Sequence, residues 1–237
     1  ADVMRNGLEY AKMFSLPVLA HCEDLNLSRE GQMHEGYYSI IYGLKGIPAE
    51  AEEVMIARDI MLARLTGGHL HVCHISTMGA VDLIREAKEE GIKVTCEVTP
   101  HHLVLSDEAV GTYDANTKVS PPLRSWEHIE ALREALNEGV IDCIATDHAP
   151  HAPEEKSGTL ATAAFGMTGL ELALPVMTRL VERDDLTWPQ AVAFLTTAPA
   201  TTLNLPGGSL QDGELADLVV IDPRTEWVVS RDTIRSR

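Results

Sequence analysis

Four short apolar runs, each closed by a polar break, set the rhythm of the chain: residues 17–22, 69–75, 94–99 and 141–146. Each is brief and rich in Val, Ile or Leu, which predicts a buried strand. Between the first two, Pro48 sits at a helix start and leads into AEAEEVMIARDIMLARL. There Val54, Ile56, Ala57, Ile60, Met61 and Leu65 recur at helical spacing. The pattern predicts an amphipathic helix stopped by Gly67-Gly68. Residues 78–90, stopped by Gly91, and 126–137, followed by Gly139, repeat it. Helices alternating with near-continuous apolar strands predict a parallel sheet covered by helices, either a (β/α) barrel or a doubly wound sheet.

Each predicted strand ends in a polar cluster of ligand-type residues: A-H-C-E-D at 20–24, H-V-C-H-I-S-T at 71–77, E-V-T-P-H-H at 97–102 and A-T-D-H-A-P-H at 145–151. In parallel α/β folds the carboxyl ends of the strands face the active site, because the βα loops gather there. Strand side chains alternate, so His21 and Cys22 are expected on opposite faces, as are Cys73 and His74. His21, His74 and Asp147 would together supply two imidazoles and a carboxylate, a usual set for catalytic Zn²⁺ or a similar divalent ion. The second cluster also holds His69 and His71. His71 lies an odd number of residues from His74 and is expected to face the other way, and His69, at the strand entrance, is expected to be structural.

Composition narrows the function classes. With 237 residues, 45% of them hydrophobic, the chain can bury a substantial core as one large domain or two small ones. A net charge of −17 argues against a nucleic-acid or anionic-membrane surface, since both need clustered Lys and Arg. No apolar run reaches the length of a membrane span, and no basic segment followed by an apolar run opens the chain. Cys22, Cys73, Cys96 and Cys143 are far apart and form no C-x-x-C pair, as expected of reduced thiols in a cytoplasmic protein.

The strand-end clusters, with S-P-P-L-R at 120–124, A-F-G-M-T-G at 164–169 and M-H-E-G at 33–36, resemble the class I bacterial dihydroorotases of the amidohydrolase superfamily. The pattern G-x-L-x-x-G-x-x-A-D-L-V-V-I-D from Gly208 resembles the small β domain that such enzymes carry. The resemblance implies a (β/α)₈ TIM barrel with one or two zinc ions. It also implies reversible conversion of dihydroorotate to N-carbamoyl-L-aspartate in pyrimidine biosynthesis. His21 and His74 resemble metal ligands at the ends of strands five and six, and Asp147 resembles both a ligand and the general base. His151 resembles a group that recognises the substrate carboxylate, and Phe165-Gly166 a backbone contact at the pocket edge. The polar loop between them, HAPEEKSGTLATAA, is long enough to act as a lid.

Ser120 stands where the family usually has Asn, keeping a hydroxyl but losing the amide pair that would contact substrate. Arg124 reads as a helix-entry arginine on a solvated face. The resemblance divides the chain into the C-terminal half of the barrel, 1–205, and part of the small β domain, 206–237. A barrel of this type needs about 250 residues and eight strands. The chain is thus expected to begin after strand four and to be inactive alone, with two exposed sheet edges. Relatives suggest a homodimer, and the readings that compete with dihydroorotase are a hydantoinase or allantoinase and a non-catalytic scaffold for aspartate transcarbamoylase.

Overall fold

The computed structural model describes residues 1–230 and 232–236. In chain order its helices are α1 (Asp2–Lys12), α2 (Tyr37–Tyr42), α3 (Glu50–Thr66), α4 (Met78–Glu89), α5 (Trp126–Glu138), α6 (Ala173–Glu182), α7 (Trp188–Leu195) and α8 (Thr197–Thr202). The strands are β1 (Pro17–Ala20), β2 (Met33–His34), β3 (Gly46–Ile47), β4 (His69–Val72), β5 (Val94–Val98) and β6 (Cys143–Ile144). Strands β1, β4, β5 and β6 form one all-parallel sheet in that order, an arc of a (β/α) barrel. The small pair β2–β3, which the hydrophobic pattern does not anticipate, stands apart in the loop after β1.

The helix stops are those the sequence indicates. Gly67 and Gly139 take φ of 66° and 75° just past α3 and α5, a conformation glycine adopts without a Cβ penalty. At the start of α4 the Thr77 hydroxyl accepts from the Ala80 backbone N–H at 3.1 Å, satisfying one of the free donors of the first turn.

One face of the sheet is apolar. Leu70 and Val72 of β4 and Val94, Cys96 and Val98 of β5 pack under Ile56, Ile60 and Ala63 of α3, Val81 and Ile84 of α4, and Leu132 and Leu136 of α5. The other face is not. Alternation puts Leu19, His69, His71, Thr95 and Glu97 there, in register Leu19–His71–Thr95 across three strands. Leu19 remains 52% exposed on it.

The strands end earlier than the apolar runs suggest: at Ala20, Val72, Val98 and Ile144, two to three residues before most of the histidine and aspartate clusters. Those clusters lie in the loops above the strand tops. From residue 206 onward the described residues form no helix or strand, and the apolar residues Leu218, Val219, Val220, Val228 and Val229 are exposed. The expected β-domain segment therefore forms no sheet among the described residues. Among the described residues no helix is long and apolar enough to cross a membrane.

Candidate active site

His21 lies just past β1 and His74 two residues past β4, and parallel pairing of these strands brings the two side chains together. His21 Nδ1 and His74 Nε2 are 3.0 Å apart, with the rings edge to face. His21 Nε2 meets the Glu23 carboxylate at 3.1 Å. His74 Nδ1 is buried and has no hydrogen-bond partner, although nearly every buried nitrogen in a folded protein has one.

Both His74 and Asp147 have left-handed backbones, with φ of 36° and 43°. That conformation costs free energy in a non-glycine residue and is typical of functional loops. Burial lowers the basicity of His74, and the His21 ring lowers it further; the Asp147 carboxylate opposes both. Two facing imidazoles fit two ligand positions of a divalent metal ion, whereas the Asp147 carboxylate does not gather with them into a set of ligand atoms within 4.8 Å of one another.

Cys22 behaves as alternation predicts. It points away from His21 into the core, its Sγ 3.8 Å from Asp59 of α3, and burial keeps its thiol strongly protonated. The alternation argument fails for His71 and His74, because β4 ends at Val72 and His74 leaves the strand in the left-handed region. His71 stays on the sheet, buried, bonded to Thr95 Oγ1 at 2.8 Å and to Glu97 at 3.1 Å. His69 also bonds Thr95 Oγ1, at 2.8 Å, which is the structural role expected of it.

Ser120 lines a shallow cleft with His21, Glu23 and Pro121. His151, Phe165 and Gly166 form a second group. His151 Nε2 meets the Phe165 carbonyl at 2.8 Å, and Gly166 takes φ 136°. A Cβ on Gly166 would lie 2.6 Å from the Ala149 carbonyl oxygen, so only glycine passes there. His151 and Gly166 border a hollow of about 350 Å³ together with Asn116 and Lys156. The Gly166 N–H donates to the Lys118 carbonyl at 2.9 Å, two residues before Ser120, so a backbone bond ties the two groups. The loop expected to be a lid is pinned: Lys118 Nζ donates to the Ala163 carbonyl at 2.6 Å, and Lys156 Nζ to those of Ala115 and Ala164 at 3.0 and 2.7 Å.

Arg124 is not on a solvated face. It is 2% exposed and reaches four segments: Nε donates to Ser76 Oγ at 3.0 Å, Nη1 to His34 Nδ1 at 3.1 Å and the Ile47 carbonyl at 3.0 Å, and Nη2 lies 3.6 Å from Glu52. Glu52 also takes the Ser76 N–H at 2.8 Å and the Ser76 hydroxyl. A guanidinium can be buried when its donors meet fixed acceptors and a counter-charge. Those acceptors come from the M-H-E-G loop, the entry to α3 and the H-I-S-T turn, which no local pattern around Arg124 reveals. His34, buried in the same network beside Arg124, is pushed down to about 3.

His71, Glu97 and Cys143 also bring their ligand atoms together, a convergence that no motif in the sequence marks. The only signal for it was the polar spacing of His69, His71, Thr95 and Glu97 within otherwise apolar strands.

Comparison with known proteins places this geometry in context. The amidohydrolase family model matches residues 1–234. A dihydroorotase of Pelotomaculum thermopropionicum is 56% identical over 224 residues, covering 94% of this chain and 52% of that protein. A dihydroorotase of Thermoanaerobacter sp. is 51% identical over 238 residues, covering 100% and 55%. Among solved structures, D-hydantoinase from Bacillus sp. AR9 matches with a TM-score of 0.83 at 26% identity, over 98% of this chain and 54% of that one. D-hydantoinase (dihydropyrimidinase) from Thermus sp. matches with a TM-score of 0.83 at 28% identity, over 97% and 53%. The chain thus spans about half the length of the curated relatives it matches.

Proposed function

The chain belongs to the amidohydrolase family, and on that premise we propose that it carries the C-terminal half of a cytoplasmic dihydroorotase, the part that supplies His21, His74 and Asp147 to a zinc centre. The observation that carries this reading is the 56% identity to a dihydroorotase over 224 residues, twice that to the hydantoinases whose fold it shares. The stretch from 206 onward is read as the start of the small β domain.

A bound divalent ion would supply electrostatic polarisation of the scissile carbonyl and of the attacking water. The chain's own residues do the rest. His21 and His74 would hold the ion on the side where His21 Nδ1 and His74 Nε2 face each other at 3.0 Å. Asp147 takes a proton from the water that adds to the ring amide carbonyl and returns it to the ring nitrogen as the C–N bond breaks. Ring closure of N-carbamoyl-L-aspartate runs through the same groups in reverse. His151 recognises the substrate carboxylate, the backbone of Phe165-Gly166 contacts the substrate at the pocket edge, and Ser120 lines the cleft beside His21.

The test is a chimera in which this chain replaces the matching 224 residues of the Pelotomaculum dihydroorotase. We expect hydrolysis of dihydroorotate and none of hydantoin. Turnover of hydantoin in preference to dihydroorotate would refute the assignment.

A further inference from the structure

Within the sheet, below the strand tops, three neighbouring strands bring a second set of donor atoms together. His71 comes from β4, Glu97 from β5 and Cys143 from β6, and their ligand atoms all lie within 4.8 Å of one another. The register produces this. Glu97 stands directly opposite Cys143, and His71 stands opposite Thr95, two residues before Glu97 on the same face. His71 and Cys143 are buried, and the Glu97 side chain is 16% exposed.

We propose that His71, Glu97 and Cys143 form a second metal site, for a thiophilic divalent cation such as Zn²⁺, distinct from the His21–His74–Asp147 centre. An imidazole, a carboxylate and a thiolate are the three ligand types zinc accepts, and three protein ligands leave a fourth position for water. With the histidine neutral, the carboxylate and thiolate carry two negative charges that one divalent cation cancels, so the buried site becomes neutral on binding. Oxygen-seeking cations such as Mg²⁺ and Ca²⁺ find one carboxylate only and are disfavoured.

The surroundings resemble those of a ligating histidine. His71 Nδ1 is held at 2.8 Å by Thr95 Oγ1, which also bonds His69, and this fixes the ring with Nε2 toward Glu97. Metal-bound histidines are oriented in this way through their second nitrogen. Burial, together with the nearby Glu97 and Asp142 carboxylates, pushes the Cys143 thiol up to about 12. Without a cation the thiol therefore keeps its proton, and the cation must release it to solvent.

Titration of the metal-free chain with Co²⁺ tests the site, because thiolate bound to cobalt gives a near-ultraviolet charge-transfer band that histidine and carboxylate ligands do not. The band is expected to grow with the first equivalents of cobalt, to survive in the His21→Ala/His74→Ala double variant, and to vanish in Cys143→Ser. Thr95→Val should weaken binding by about tenfold or more while leaving the band intact. Cobalt bound without the band, or a band that persists in Cys143→Ser, would overturn the proposal. X-ray absorption of the zinc-loaded, unsubstituted chain reads the same point without any variant. Sulfur at about 2.3 Å from zinc is expected, and a shell of nitrogen and oxygen alone refutes the site.

Discussion

Arg124→Met isolates the buried network around Glu52. Arg124 and Glu52 are 2% and 4% exposed, so neither solvent nor counterions can take over when one partner is removed. Methionine keeps most of the aliphatic volume of the arginine stem, which makes the cavity cost small. What remains is the loss of the bonds to Ser76, His34 and the Ile47 carbonyl, and a Glu52 charge without its counter-ion. Removing one member of a buried pair costs about 3–5 kcal/mol. With a urea slope near 3 kcal/mol/M for a chain of this size, the midpoint should fall by about 1.3 M. Adding Glu52→Gln removes the stranded charge while keeping an acceptor for the Ser76 N–H, so the double variant should recover about half of the loss. The assay is urea unfolding followed by circular dichroism. A single-variant loss below about 1 kcal/mol, or a double variant no more stable than the single, would show that Arg124 acts as an ordinary surface arginine and refute the argument.

Three further outcomes follow from the same structure. His34 is pushed down to about 3 by burial and by Arg124, so the unfolded chain binds a proton below pH ~6.5 that the folded chain refuses. Its contribution is full above that value and is lost at about 1.4 kcal/mol per pH unit as the pH falls toward 3. His34→Gln should flatten the pH dependence of unfolding by that amount between pH ~5 and ~6.5, and an unchanged slope would contradict this. Gly166→Ala forces a Cβ to within 2.6 Å of the Ala149 carbonyl at φ 136° and should cost about 1–3 kcal/mol in urea unfolding; a neutral substitution would mean the loop relaxes freely. In the chimera, Asp147→Asn should lower kcat by about 10²–10⁴-fold, and a variant that keeps its turnover would remove Asp147 from the general-base role.

Much of the fold was legible because its signals are local. The apolar runs mark β1, β4, β5 and β6, and Gly67, Gly91 and Gly139 stop the helices where a left-handed residue is needed. The histidine and aspartate clusters declare themselves because a ligand-bearing loop after a buried strand needs only a few adjacent residues. The strand ends were less legible, since an apolar run continues into the loop: β4 stops at Val72, although the run reaches Ile75. This misplaced the logic of His71 and His74, because alternation holds only while the backbone stays extended.

Residue order along the chain was thus enough to specify the alternating elements, their stops and the ligand types at the strand tops, each written within a handful of neighbours. Which distant groups meet was decided only by the folded chain. Strand pairing set His21 against His74 and Glu97 against Cys143, and it buried Arg124 among acceptors 48 to 90 residues away. Pair distances across a sheet depend on register and crossover, and the burial of a charge depends on whether acceptors converge on it from other segments.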